Sequence, residues 1–176
     1  MKVAVTAVED ADGEGKPPEV VPGLNRMSSD IVKTFLVEDS PAIQEVLMEA
    51  MELVAPMKFV GLVASEEDAV QWLTTHQDAW HLAIIDLVLH RGTGFGVLQA
   101  CRERSIMQKV VVLTSYREED MWQRCRELGA DGVFDKSHQI EELVDFCRVH
   151  AAYLKFISET DAAAEQLAEQ RAIFPT

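Results

Sequence analysis

A chain of 176 residues, 48% hydrophobic and 26% charged, has the profile of a soluble globular protein, and its length suits one domain plus extensions. Thirty Asp and Glu against sixteen Lys and Arg give a formal net charge of −14. That balance argues against nucleic acid or an anionic membrane as direct partners, because phosphate surfaces are held by basic ones. The three cysteines, Cys101, Cys125 and Cys147, have no metal-ligand spacing, and with no signal-peptide or membrane-spanning run they fit a reducing cytoplasm.

Residues 1–30 read as a leader, because EDADGEGKPPEVVPG is too rich in Pro, Gly and acids to offset the entropy of ordering it. Met27, just before the first apolar run, is a candidate alternative start. From Ile31 to His150 the runs IVKTFLV, KFVGLV, HLAIID, VVVLT and GVF alternate with segments of helical period, the pattern of βαβ units and a parallel sheet covered on both faces. The first helix is expected to open with Ser40 as N-cap and Pro41 at its first turn, with Ile43, Val46, Leu47, Ala50, Met51 and Val54 as its apolar face. The second opens with a capping pattern, Ser65-Glu66-Glu67-Asp68. Gly92-Thr93-Gly94-Phe95-Gly96 reads as a tight turn into the third helix, since the spacing is not that of a dinucleotide loop. The fourth places Met121, Cys125 and Leu128 on one face before Gly129 as its C-terminal cap. Residues 151–176, Ala/Glu/Gln-rich after Ser158, read as a helical extension of the fifth.

In an open parallel α/β sheet, ligand chemistry gathers outside the carboxyl ends of the strands, where strand order reverses. Glu38 and Asp39 end the first apolar run, Asp86 the third and Thr114 the fourth, and Lys136 follows the fifth. With strand order 2-1-3-4-5, the first and third strands are neighbours and their three carboxylates converge. Such like charges repel unless a cation neutralises them, so a hard divalent ion with oxygen ligands is expected, Mg²⁺ or else Mn²⁺. Nucleophile, metal, lysine and hydroxyl together make a phosphoryl-transfer centre.

These residues, in AIIDLVLHRGTGFGVL, VVVLTS and GADGVFDKS, resemble receiver domains of two-component response regulators over about Val32–Val149. The resemblance implies a flavodoxin-like, doubly wound (βα)5 three-layer fold, and a receiver domain at 31–150. It implies that Asp86 accepts a phosphoryl group from a phosphohistidine on a histidine kinase or phosphotransfer protein. Asp39 and Asp86 would bind the metal, with Glu38 through water and the backbone carbonyl of Val88. Lys136 would pair with Asp86, and the Thr114 hydroxyl would move to the phosphoryl group and switch a surface for a downstream protein. The chain would then be a self-phosphorylating switch without substrate turnover or a DNA-binding domain. A phosphorylation-independent interaction module is the alternative, and Val88 stands where a small phosphatase would need an acid.

Three positions depart from the usual pattern: His90 and Ser137 replace prolines, and Val133 replaces the switch aromatic, a role Tyr116 is placed to cover. Val88 offers the attacking water no hydrogen bond, and Tyr116 is bulky enough to shield the acyl phosphate while its hydroxyl is a poor base, so the phosphorylated form is expected to be long-lived. His76, His81, His90, His138 and His150 lack paired ligand spacing and read as surface or packing residues. Trp72, Trp80 and Trp122 read as partial core. The last helix carries a core stripe, Ile140, Leu143, Val144, Cys147, Ala151 and Leu154, and a second apolar stripe, Phe146, Val149, Tyr153 and Phe156. Either the tail from Ser158 folds back over the second stripe or a second copy of the chain covers it as a homodimer.

Overall fold

A computed structural model describes residues 31–173 and side chains through 168; the leader and Met27 lie outside the described residues. Five parallel strands are ordered β2-β1-β3-β4-β5: β1 Val32–Val37, β2 Met57–Val63, β3 Leu82–Ile85, β4 Lys109–Thr114 and β5 Gly132–Asp135. Between and after them run α1 Pro41–Val54, α2 Glu66–Thr75, α3 Gly94–Ala100, α4 Glu119–Glu127 and α5 Ile140–Ile173. This is the doubly wound (βα)5 arrangement expected from the alternation of apolar runs.

Strand alternation divides the core in two. Phe35, Val37, Ala83, Ile85, Val110 and Val112 face α2, α3 and α4, while Leu36, Leu82, Ile84, Val111 and Leu113 face α1 and α5. Val133 and Phe134 split the same way, so Phe134 does lie on the face opposite Val133. Trp80 is buried in the first cluster, with Trp72 and Trp122 at its margin.

Helix ends follow the sequence with one exception. Ser65 Oγ accepts from the Asp68 N–H at 3.2 Å, and Thr93 caps α3 by accepting from the Gly96 N–H at 3.4 Å. Gly129 takes φ +96°, and the bonds Ala130 N–H to Cys125 O and Gly129 N–H to Arg126 O close α4 as a Schellman motif. Ser40 starts α1 with Pro41 behind it, but its side chain makes no cap hydrogen bond.

The expected face of α1 is narrower than the sequence suggested. Only Leu47 and Met51 are buried; Ile43, Val46, Ala50 and Val54 are exposed. The helix packs by β2, the edge strand of the sheet, and among the described residues only one i,i+4 pair, Leu47 and Met51, is buried in the core.

The tail does not fold back. Helix α5 runs unbroken through Ser158 to Ile173, and Leu154, the end of the expected core stripe, is its last buried residue among those described. The described residues contain no cis peptide bond, so Lys136–Ser137 is trans.

Gly61 of β2 lies beneath the Trp72 ring, which stacks on Phe35 with centroids 4.1 Å apart; a Cβ at Gly61 would sit 2.6 Å from that ring. Gly61→Ala should therefore lower stability by about 1–3 kcal/mol, the usual cost of overpacking. Urea denaturation measures it, and an unchanged midpoint would show that the indole moves aside freely.

Candidate functional site

The order β2-β1-β3 places the carboxyl ends of β1 and β3 side by side at the point where the chain reverses its direction of winding. Glu38 and Asp39 leave β1 there, Asp86 leaves β3, Thr114 closes β4 and Lys136 follows β5. Carboxylate oxygens of Glu38, Asp39 and Asp86 all lie within 4.8 Å of one another. Glu38 and Asp86 are 2% and 7% exposed, so their charges are removed from water and depend on protein partners. The residues expected at this site are therefore brought together.

Lys136 supplies the counter-charge. Its Nζ donates to Glu38 Oε2 at 2.6 Å and to Asp86 Oδ2 at 2.7 Å. Burial alone would lower the lysine pKa, but the hydrogen bonds to Asp86 and Glu38 and their charges raise it above the ordinary value. The pairing with Glu38 was not foreseen; the sequence pointed only to Asp86. Glu38 is further fixed by the Ser40 N–H, which donates to Oε1 at 3.1 Å, and by Gln44 Nε2, which donates to its backbone oxygen at 2.5 Å.

Asp39 has a partner that sequence reasoning missed. The His90 N–H donates to Asp39 Oδ2 at 2.5 Å, and the His90 ring Nδ1 contacts the same oxygen. Burial pushes the Asp39 carboxyl up, while the bonds from the His90 backbone and ring and the His90 charge outweigh it and hold the pKa below the ordinary value. Its position in the loop after β3, at the same end of the sheet as Asp39, was the available signal.

Thr114 is fully buried, and its Oγ1 accepts from the Tyr116 N–H at 3.2 Å. Val88 and Tyr116 are about half exposed and line, with the acids, Thr114 and Lys136, a cleft of about 350 Å³. The loop beyond Tyr116 is held twice. Trp122 Nε1 donates to the Tyr116 carbonyl at 2.7 Å, and Arg117 pairs with Asp135, beside Lys136. Hydrogen bonding from the Ser137 N–H and then the Arg117 charge hold Asp135 low against burial.

Three hard oxygen donors at this spacing suit Mg²⁺ or Mn²⁺, which bind carboxylates and water. With a buried cation and a hydroxyl beside them, the arrangement can bind a phosphoryl group and offers Asp86 as a nucleophile.

The profile of the response regulator receiver domain matches residues 34–148. The uncharacterized transcriptional regulatory protein YvfU of Bacillus subtilis is 22% identical over 118 residues, 67% of this chain and 58% of the relative. The chain spans about half the length of the curated relatives it matches. Among solved structures, the BeF3-activated receiver domain of Klebsiella pneumoniae RstA aligns with TM-score 0.59 and 20% identity, covering 68% of this chain and 97% of that one. The Mn²⁺-bound form of the response regulator Rcp1 aligns with TM-score 0.53 and 23% identity, covering 66% and 89%.

Removing the Lys136 ammonium leaves two buried carboxylates without their cation. Lys136→Ala should destabilise the protein by about 3–5 kcal/mol at neutral pH. Because the folded lysine pKa is raised, its contribution is complete below the unfolded value of about 10.4 and is lost as pH rises through the folded one. The gap between wild type and variant in denaturant titrations should thus close above that pH. A gap that persists there would assign the loss to packing and not to charge.

Proposed function

The chain belongs to the response regulator receiver family, and from that premise we propose that it is a phosphoryl-accepting switch with Asp86 as the acceptor. The observation that supports this most is the Lys136 ammonium, 2.6 Å from Glu38 and 2.7 Å from Asp86 in a cleft shared with Asp39 and Thr114. The donor is a phosphohistidine on a histidine kinase or phosphotransfer protein. An Asp86 carboxylate oxygen attacks phosphorus in line, the N–P bond breaks as the O–P bond forms, and the histidine nitrogen leaves with its electron pair.

Lys136 holds the attacking carboxylate in place and then faces a phosphoryl oxygen. Mg²⁺ or Mn²⁺ would be held by Asp39 and Asp86 directly, by Glu38 through water and by the Val88 carbonyl, and supplies positive charge against the phosphoryl oxygens. The Mn²⁺-bound Rcp1 supports that choice of ion. The chain acts on no separate substrate. Val88 and Tyr116 line the mouth of the cleft without a base effective at neutral pH, and so slow the attack of water on the acyl phosphate.

The readout passes through Thr114. Its hydroxyl oxygen, which now accepts from the Tyr116 N–H, turns its proton to a phosphoryl oxygen. The loop after β4 then shifts against the Arg117–Asp135 and Trp122–Tyr116 contacts, and with it the α4 surface offered to a downstream protein. With Val133 in place of an aromatic, these contacts are the part of the switch that reports the change.

Incubation with acetyl phosphate and Mg²⁺ should add one phosphoryl group to wild type and none to Asp86→Asn, which keeps the shape but lacks the nucleophile. Intact mass spectra decide. Equal labelling of both proteins would remove Asp86 from the role.

A further inference from the structure

Helix α5 is 34 residues long, about 51 Å at 1.5 Å per residue, and its last buried residue among the described side chains is Leu154. Between 155 and 168 only Ile157 is even partly covered. An isolated helical segment of that length gains little from propensity alone, so an uncovered one requires a partner face.

The sequence along it has a repeat of its own. Phe146, Val149, Tyr153, Phe156, Thr160, Ala163 and Leu167 follow one another at alternating steps of three and four, the a and d positions of a heptad over three full repeats. The stripe begins on the folded domain and continues without a break along the free part. Val149 is 71% exposed and Phe156 and Leu167 are each 63% exposed. Phe146 and Tyr153 are half-buried: Phe146 meets Phe134 edge-on with centroids 6.0 Å apart, and Tyr153 stacks on His150.

Charge marks the same stripe. Between 146 and 167 the a, d, e and g positions carry one acid, Glu159, whereas Arg148, Lys155, Asp161 and Glu165 lie on the outer face. For a chain of net charge −14, this is a surface on which two copies approach with little repulsion. Beside it, Ile106 in the turn before β4 and Lys109 at the start of that strand join Phe146, Val149, His150 and Tyr153 around a largely apolar groove of about 370 Å³. That groove can receive a side chain from a facing helix. Over two copies, the exposed apolar side chains together make an area on the order of 1,000 Å², the lower limit for a specific interface.

We propose that this stripe is a dimer interface between two copies of the chain, with the two α5 helices packed in parallel as a short coiled coil. A partner helix must carry the same 3.5-residue repeat to keep its seam in contact, and an identical α5 carries it. Parallel packing sets the bulky layers Phe146 to Phe156 against their equals and Leu167 against Leu167. The phosphoryl chemistry is not needed for it, so the test uses metal-free, unphosphorylated full chain.

Sedimentation velocity should show wild type shifting to dimer as concentration rises. Val149→Glu with Phe156→Glu, both exposed in the monomer, should remain monomeric and still unfold cooperatively, losing circular dichroism helix signal only for the part of α5 beyond Leu154. Asp161→Arg with Glu165→Arg, on the outer face, should dimerise like wild type. Under mild oxidation Leu167→Cys should form a covalent dimer, since Cys101, Cys125 and Cys147 are buried and provide no competing thiol. A wild type that stays monomeric at every concentration, or a dimer that survives the Val149/Phe156 double change, overturns the proposal. A dimer that fails to cross-link through position 167 overturns the parallel packing.

Discussion

Two carboxylates almost removed from water share one ammonium: Lys136 Nζ stands between Glu38 at the end of β1 and Asp86 at the end of β3. Burying either acid without a cation would be costly, because the desolvation of a carboxylate is offset only by close charges and hydrogen bonds. The lysine can reach both only because β1 and β3 are neighbours, and they are neighbours only because the chain crosses over after β2. Strand order, burial of the acids and position of the cation are therefore one constraint. The third acid, Asp39, lies outside the reach of Lys136 and is met instead by the backbone and ring of His90.

The same constraint links the site to the surface. Lys136 follows β5, and its N–H donates to the Thr114 carbonyl at 3.0 Å, so the cation and the hydroxyl are carried on paired strand ends. One residue earlier, Asp135 anchors Arg117 of the loop after β4. Helix α5 begins a few residues later, at Ile140, and runs to the opposite end of the domain and beyond, so the element that leaves the fold starts beside the chemistry.

Much of this could be read from the residues. Apolar runs ending in Glu38-Asp39, Asp86 and Thr114, with Lys136 just after the last run, carried both the fold and the site, because position at the end of a parallel strand is a statement about space. Side chains on loops were harder. His90 looked like a surface residue, and its contact with Asp39 depends on loop geometry that spacing does not encode. The α1 face was over-read because helical periodicity shows which residues are apolar, whereas the sheet edge decides which of them meet a neighbour. On α5 the second apolar stripe was visible, but whether the tail doubled back could not be told from composition; the unbroken helix to Ile173 answers it.

The claim that underlies the rest is that three converging carboxylates form a divalent cation site. Thermal melting with and without millimolar Mg²⁺ tests it without any phosphoryl donor, because an ion that binds the native state alone stabilises it by RT ln(1 + [L]/Kd). The melting temperature of wild type should rise with Mg²⁺, and with Mn²⁺, while Asp39→Asn should lose most of that response. A wild-type melting temperature indifferent to both ions would contradict the metal site.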